Sequence, residues 1–288
     1  MLDTAPPRNV IYFSSGANQI PLSRIGSLPY TDVIVSFLVP DEDLMLHGAG
    51  GAFNSELQSS IETLQDAGLN VLISFGGGKG VSTSSYESYA QDVDGLVGQL
   101  VTFVTSHGFS GVDIDYEDDA GFTGTYDGVG FLIALTNGLA QSLPAGQNII
   151  THAPQTPYWD PDYHNAPYTQ IWQGAGTQIT WINNQFYNNP SWDATPELKV
   201  AWYNQIAAIT GPQKLMAGGL VGPSAADEGF LSLEEMISQV ITPLQDTWGP
   251  EFGGVMGWEF ARDTDGTWAD EIWQALAGPA PLTTPEKL

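Results

Sequence analysis

Three carboxylic acids alternate with other residues in one short segment of the sequence. Residues 111–117 read Gly-Val-Asp-Ile-Asp-Tyr-Glu, with acids at positions 113, 115 and 117. Side chains of a β-strand point to alternate faces, so these acids would share one face at a spacing of about 6.6 Å. Neighbouring buried acids can share protons, which suits general acid catalysis. We therefore expect Glu117, the outermost acid, to donate a proton to a leaving oxygen, with Asp115 beside it and Asp113 deepest.

Two other interpretations of these acids remain open. A strand at a sheet edge, with its charges in water, would show the same alternation. Carboxylates also bind calcium or magnesium, and the loop acids Asp227 and Glu228 could complete such a site. The β-branched and aromatic residues between the acids favour a buried strand, and no second acid cluster follows another predicted strand. We therefore favour catalysis and expect no metal.

Short segments rich in β-branched and aromatic residues recur along the chain, with helical patterns between most of them. Alternation of apolar strands with helices is typical of a closed parallel barrel, whose chemistry lies at the C-terminal ends of its strands. We predict an α/β fold, a single (β/α)8 barrel. A doubly wound open sheet is the alternative, but residues 14–17, Ser-Ser-Gly-Ala, lack its glycine-rich first turn. The predicted strands are 9–13, 32–39, 69–75, 111–116, 148–151, 179–187, 214–217 and 254–258, and the predicted helices are 55–67, 86–106, 131–143, 196–209, 233–244 and 268–276.

The composition excludes several classes of protein. The chain has 288 residues, 42% of them hydrophobic, which is enough for a large core. A net charge of −26 would repel nucleic acid and anionic membranes, and no apolar run is long enough to cross a bilayer. Cysteine is absent, so disulfides and cysteine-ligated metals are excluded.

The two ends of the chain are predicted to lie outside the catalytic domain. We expect residues 1–8 to be a lead-in, 9–277 the catalytic domain, and 278–288 a proline-containing tail. The N-terminus lacks the basic start and apolar stretch of a signal peptide, so either the protein is cytosolic or the sequence starts after a cleavage site.

The three alternating acids at 113, 115 and 117, which we call the acid ladder, and four further motifs resemble sequence motifs of the family 18 glycoside hydrolases. That family usually carries Asp-Gly-x-Asp-x-Asp-x-Glu at the end of strand four; here Ser110 replaces the first Asp. The other motifs are similar to those of hevamine-like class III chitinases from plants and fungi. They occur in the family's order between about residues 9 and 275, and they are Ser-Phe-Gly-Gly (74–77), Ala-Pro-Gln-Thr-Pro (153–157), Gln-Phe-Tyr-Asn-Asn-Pro (185–190) and Gly-Gly-Val-Met-Gly-Trp (253–258).

This resemblance implies an enzyme that hydrolyses β-1,4 linkages next to N-acetylglucosamine in chitin or related oligosaccharides. It implies that the substrate's acetamido oxygen is the nucleophile, an exception to the usual pair of carboxylates. Glu117 would protonate the leaving oxygen and later activate water, while Asp115, supported by Asp113, and Tyr187 would hold the acetamido group. Trp258 would form the floor under the sugar. The remaining expected substrate contacts are Gln185, Asn188, Gly76, Gly77, Gln155, Met256, Tyr12 and Phe37.

The resemblance also implies that no cofactor is used and that the protein acts as a secreted monomer, because polymeric chitin lies outside the cell. The loop at 40–53 is short, and no segment of some 60–80 residues is inserted between predicted strands seven and eight. The α+β insertion of processive chitinases is therefore missing, and we expect a shallow cleft and endo-acting cleavage. One alternative is an endo-β-N-acetylglucosaminidase that cuts the chitobiose core of N-glycans. Another is a non-catalytic chitin-binding lectin on the same fold.

Overall fold

Eight parallel strands form a closed barrel. The computed structural model describes residues 7–14, 20–49, 55–78 and 80–277. The first barrel strand pairs with both the second and the last, which closes the sheet, and one short strand pairs antiparallel with the second as a hairpin. In chain order the strands are β1 (Arg8–Ser14), β2 (Asp32–Pro40), β3 (Leu46–Gly48, the hairpin strand), β4 (Asn70–Gly76), β5 (Gly111–Asp115), β6 (Ile149–His152), β7 (Trp181–Gln185), β8 (Leu215–Leu220) and β9 (Gly254–Trp258).

Helices follow the barrel strands. Several begin at a side chain that accepts a hydrogen bond from a backbone N–H of the first turn, as helix N-termini require: Ser82, Asp92, Asp127 and Thr195. The helices are α1 (Ser55–Asp66), α2 (Thr83–Gln91), α3 (Val93–His107), α4 (Gly128–Ser142), α5 (Pro167–Ala175), α6 (Pro190–Asp193), α7 (Pro196–Thr210), α8 (Leu233–Glu235), α9 (Thr242–Trp248) and α10 (Thr267–Ala277), with a π-helical segment at Met236–Ile241 and 3-10 turns at Leu22–Ser27, Asp119–Gly121, Thr156–Trp159, Pro212–Lys214, Gly249–Glu251 and Phe260–Arg262.

The strands separate two apolar cores because their side chains alternate in direction. On β5, Val112 and Ile114 point outward and pack in the large core between strands and helices. A smaller core fills the barrel, and its members come from several different strands: Val10, Tyr12, Ile34, Leu72, Ala153, Trp181, Tyr187, Met216, Leu220 and Met256. The acids of β5 lie on this inner side, at the end of the barrel where the strands terminate.

The predicted α/β barrel is confirmed, with local differences. The helix expected at 86–106 is two helices, because Asp92 leaves helical geometry (φ −136°, ψ 64°) and its side chain caps α3. The helix expected at 233–244 contains the π-helical segment, and β3, α5 and α6 were not predicted. The connection from β8 to β9, residues 221–253, contains only helices and loops, so the structure has no α+β insertion there.

Parts of the predicted domain ends fall outside the described residues. Residues 1–6 and 278–288 belong to that part of the chain, and β1 begins at Arg8, one residue before the expected strand. Within the described ranges, no helix combines the length and apolar character needed to span a membrane.

Candidate active site

A cleft of about 260 Å³ opens where the C-terminal ends of the barrel strands meet. Eight of the residues predicted to act on substrate line it, and they come from five different strands or the loops that follow them. Gly78, Ala225, Ala226 and Asp227 complete the lining. The eight are Phe37, Gly77, Asp115, Glu117, Gln185, Tyr187, Asn188 and Trp258.

The deepest acid, Asp113, lies inside the barrel and is fully buried. Strand pairing places it between Ser74 of β4 and Thr151 of β6, whose hydroxyls donate to its carboxylate at 2.7 and 2.5 Å. Tyr12 donates from β1 at 2.8 Å, and Asn183 donates from β7 at 3.3 Å. Burial raises the pKa of Asp113, although these four hydrogen bonds oppose the rise. Asp113 is therefore a buried carboxyl below the cleft, held by four hydrogen bonds.

Asp115 and Glu117 form a coupled pair at the cleft floor. The side-chain amide of Gln185 donates to Asp115 at 2.9 Å and to Glu117 at 3.3 Å, and Gln155 donates to the other oxygen of Glu117 at 3.3 Å. Burial raises the pKa of Asp115 well above its ordinary value, and the neighbouring carboxyls of Glu117 and Asp113 raise it further. Burial and the neighbouring carboxyls thus favour the protonated form of Asp115, which lies beside Glu117 in the cleft.

Tyr187 lies in the cleft wall just beyond β7, with 6% of its surface exposed. Burial raises the pKa of its hydroxyl, and Asp115 and Glu117 add to the rise. The phenol therefore keeps its proton throughout the neutral range. It can donate a hydrogen bond to an oxygen bound beside Asp115.

Aromatic rings form the opposite part of the floor. Trp258 stacks against Phe37 with ring centroids 5.7 Å apart and an angle of 25°, and its indole N–H donates to Ala225 at 2.9 Å. Both rings are half-buried and keep an exposed side in the cleft. A flat indole held in this way offers an apolar surface to a sugar ring.

Gly76 and Gly77 allow the backbone at the end of β4 to pass close to Asp115 and Phe37. Both have positive φ, and a Cβ on Gly76 would lie 2.1 Å from the carbonyl oxygen of Asp115, while one on Gly77 would lie 2.5 Å from the Phe37 ring. The N–H of Gly77 also donates to the Asp115 carbonyl at 2.8 Å. These glycines let β4 approach the acid and the ring.

Two predicted substrate contacts lie below the cleft surface. Met256 is fully buried in the barrel interior, and Tyr12 is buried with its hydroxyl on Asp113. Asn188 lines the cleft, but its side-chain oxygen accepts the backbone N–H groups of Asp227 and Glu228 at 3.1 and 3.2 Å.

Of the four partners of Asp113, sequence reasoning singled out only Tyr12, and it did so as a substrate contact. Ser74 belongs to a recognised motif and Thr151 ends a predicted strand, so strand register was the signal that could have identified both. Ala225, Ala226 and the cleft position of Asp227 required the tertiary fold. In the described part of the chain, no cluster of three or more His, Cys, Asp or Glu side chains has a metal-binding arrangement.

A parallel barrel with neighbouring carboxyl groups and an aromatic floor in its cleft is suited to glycoside hydrolysis. The model of glycosyl hydrolases family 18 matches residues 8–218. An acidic endochitinase from Nicotiana tabacum is 30% identical over 270 residues, which cover 86% of each chain. The crystal structure of a GH18 chitinase from Pseudoalteromonas aurantia is 38% identical with a TM-score of 0.87, covering 93% of this chain and 99% of that one.

A fungal family 18 endo-β-N-acetylglucosaminidase superposes with a TM-score of 0.73 over 94% of this chain and 96% of that one. At 23% identity this is a likeness of fold alone. The chain belongs to glycosyl hydrolase family 18 and resembles the endochitinases of plants.

Proposed function

We propose that this enzyme hydrolyses β-1,4 linkages between N-acetylglucosamine units of chitin, with retention of configuration and with the substrate's acetamido oxygen as nucleophile. The observation that carries the proposal is that Asp115, Glu117 and Tyr187 line the same cleft. A proton donor and two groups suited to holding an amide lie together there. The names of the endochitinase relatives support chitin as the substrate.

The reaction proceeds in two displacements at the anomeric carbon. In the first, Glu117 gives its proton to the leaving glycosidic oxygen while the acetamido oxygen forms a bond to the anomeric carbon. Asp115 orients the acetamido N–H, and Tyr187 donates to the acetamido oxygen. In the second, Glu117 takes a proton from water, which attacks the same carbon and reopens the ring formed by the acetamido group. Two inversions leave the configuration unchanged.

Asp227 is the acid to test as an ordinary second carboxylate, because it lines the same cleft from the loop after β8. If the acetamido oxygen is the nucleophile, Asp227→Asn keeps kcat within about threefold of wild type, a loss well below the typical contribution of a catalytic acid or base. A loss of 10²-fold or more, as expected for a catalytic acid or base, would instead favour a mechanism with two carboxylates.

The anomeric configuration of fresh product tests the proposal most directly. N-acetylglucosamine oligomers should yield the β-anomer in an early NMR spectrum, and fully deacetylated oligomers of the same length should not be cut. Appearance of the α-anomer, or equal cleavage of deacetylated oligomers, would contradict substrate assistance. A parallel incubation with a high-mannose glycoprotein separates chitin hydrolysis from cleavage of N-glycan cores.

Endo-action is part of the proposal. The cleft lacks a wall from an insertion between β8 and β9, so a polymer could bind along it without threading an end. Internal cleavage should lower the viscosity of soluble glycol chitin early, before much reducing sugar has been released. We further propose that residues 9–277 form the catalytic domain and that the enzyme acts as a monomer outside the cell, where its polymeric substrate lies.

A further inference from the structure

A buried lysine lies behind the tyrosine of the cleft wall. Lys199 belongs to α7 and is 3% exposed. Its ammonium group donates to the backbone carbonyl of Phe186, the residue before Tyr187, and to the carbonyl of Gly229 at 3.1 Å. One side chain therefore joins the segment that ends β7 to the loop that follows β8.

Further contacts hold the same two segments together. The backbone N–H of Asn188 donates to the Glu228 carbonyl at 3.2 Å, while the Asn188 side chain accepts from the N–H groups of Asp227 and Glu228. Gly229 has a φ of +88°, and a Cβ there would lie 2.9 Å from the Cα of Tyr187. Residues 186–188 and 225–229 thus form one packed unit, which we call the tyrosine wall.

Burial of the charged Lys199 side chain costs desolvation free energy. Burial lowers its pKa to about 8, and the attraction of Asp193 only partly offsets that effect. Asp193, the last residue of α6, is itself fully buried, and burial raises its pKa to about 6. An apolar side chain of similar size would avoid this desolvation but could not hold two carbonyls. The lysine therefore supplies hydrogen bonds to two carbonyls that no apolar side chain could make.

We propose that Lys199 is a positioning residue of the hydrolase, which fixes the tyrosine wall so that the Tyr187 hydroxyl faces the carboxyl pair at the required distance. The inference rests on the proposed function only for the role of Tyr187. Lys199 does not line the cleft, so it acts on the reaction through the two carbonyls that it binds.

Lys199→Met tests the proposal, with Lys214→Met as the matched control. Lys214 is half-buried and also donates to two carbonyls, those of Gly176 at 3.2 Å and Ile179 at 2.6 Å, but it lies at the opposite end of the barrel. We expect Lys199→Met to lower kcat about tenfold or more, because small misplacements of catalytic groups cost that much, while KM changes less than about threefold. Lys214→Met should lower the unfolding temperature but keep kcat.

A double variant separates positioning from loss of structure. If Lys199 acts through Tyr187, then in a Tyr187→Phe background the Lys199→Met substitution should lower kcat by less than about twofold, because coupled residues are not additive. Full additivity of the two losses, or a wild-type kcat in folded Lys199→Met, would overturn the proposal.

Gly229→Ala moves the tyrosine wall from the other side and provides a second test if Lys199→Met does not fold. Its Cβ would push against Tyr187, so it should lower kcat without a large change in KM. An unchanged kcat would contradict the inference. All variants are measured on whichever substrate the wild type cleaves, chitin oligomer or glycoprotein. A failure of chitin as substrate is thereby distinguished from a failure of the role of Lys199.

Discussion

Gln185 connects the two acids on which the proposed reaction depends. Its side-chain amide donates to Asp115 and Glu117, and neither proton of the amide can be given up as an acid donor would give one. The amide therefore fixes the relative orientation of the carboxyls without taking part in proton transfer. Gln155 supports the outer oxygen of Glu117 in the same way. The two carboxyl groups are thus held in place by side-chain amides.

Glu117→Gln should remove most of the hydrolytic activity while the enzyme still binds oligosaccharide. The amide keeps the size of the carboxyl group but cannot supply an acidic proton, and general acid catalysis is typically a 10²–10⁴-fold effect. Steady-state kinetics and calorimetric titration with a chitin oligomer would measure the two properties. Glu62→Gln, on the exposed side of α1, is the matched control. More than a tenth of wild-type kcat in Glu117→Gln would exclude this residue as the acid.

The rate should fall as the pH rises from acidic to alkaline values. Burial, Glu117 and Asp113 raise the pKa of Asp115, so this carboxyl keeps its proton at acidic pH and loses it as pH climbs through the raised value. A profile of kcat/KM between about pH 4 and 9 would measure this loss. Tyr187 cannot cause it, because burial raises the pKa of its hydroxyl. A flat profile would show that the carboxyl pair does not supply the proton.

At the scale of elements, strand alternation predicted the acid ladder, whereas the partners of the acids depend on pairing between strands. The alternation within residues 111–117 predicts one face for Asp113, Asp115 and Glu117, although β5 itself ends at Asp115. Which residues hydrogen-bond to Asp113 follows from the register that sets Ser74 and Thr151 on either side of it. That register is a property of three strands together, so no single segment of sequence contains it.

The helix boundaries show where local patterns reach their limit. Periodic apolar residues from 86 to 106 predicted one helix, but the Asp92 side chain caps a new one by accepting from the N–H of Gly95. Helix α5 was not predicted because it is short and begins after Ala166, which has a left-handed φ of 50°.

Ser110 stands where the family usually has Asp. Its hydroxyl accepts hydrogen bonds from the backbone N–H of Val71 and from the side-chain amide of Gln65.

The buried side chain of His152, on β6, should make the stability of the fold depend on pH. The imidazole is fully buried against the Thr136 hydroxyl of α4 at 3.0 Å and the Tyr168 hydroxyl of α5 at 3.2 Å, and burial lowers its pKa to about 3. Below pH 6.5, the ordinary value, the unfolded chain binds a proton that the folded protein does not. His152 should therefore reduce the free energy of unfolding by roughly 1.4 kcal/mol per pH unit as pH falls from about 6.5 to 4.

The comparison of two histidine variants isolates this contribution. Urea unfolding at several pH values should give a shallower acid loss of stability in His152→Asn than in wild type. His164→Asn, at an exposed position with left-handed backbone that Asn tolerates, should keep the wild-type slope. Parallel slopes in wild type and His152→Asn would contradict the assignment of the acid loss to this residue.

At the scale of the molecule, the barrel could be predicted because its strands and most of its helices each carry a local pattern. The cleft wall could not, since residues 186–188 and 225–229 meet only after β7 and β8 have paired. Asn188 illustrates the difference. A motif places it beside Tyr187, which suggested a sugar contact, but its side chain also holds a loop some forty residues further along the chain.

The charge of the whole chain should make its stability depend on salt. The sequence has 33 acidic and 7 basic residues, and among the described residues a single ion pair, Arg8 with Asp32 at 2.9 Å, is closer than 4 Å. Excess like charge destabilises a compact state more than an expanded one. Raising NaCl from about 0.01 M to about 0.1 M shortens the screening length from about 30 Å to about 10 Å, so the unfolding temperature at neutral pH should rise. Each kcal/mol of relieved repulsion corresponds to about 2–4 °C in unfolding temperature for a domain of somewhat smaller size.

Calorimetry in NaCl and in tetramethylammonium chloride at equal ionic strength should give the same increase in unfolding temperature, because screening does not depend on the identity of the cation. An unchanged unfolding temperature in both salts would mean that the acids are too widely spread for their repulsion to matter, and an increase in NaCl alone would indicate specific binding of sodium.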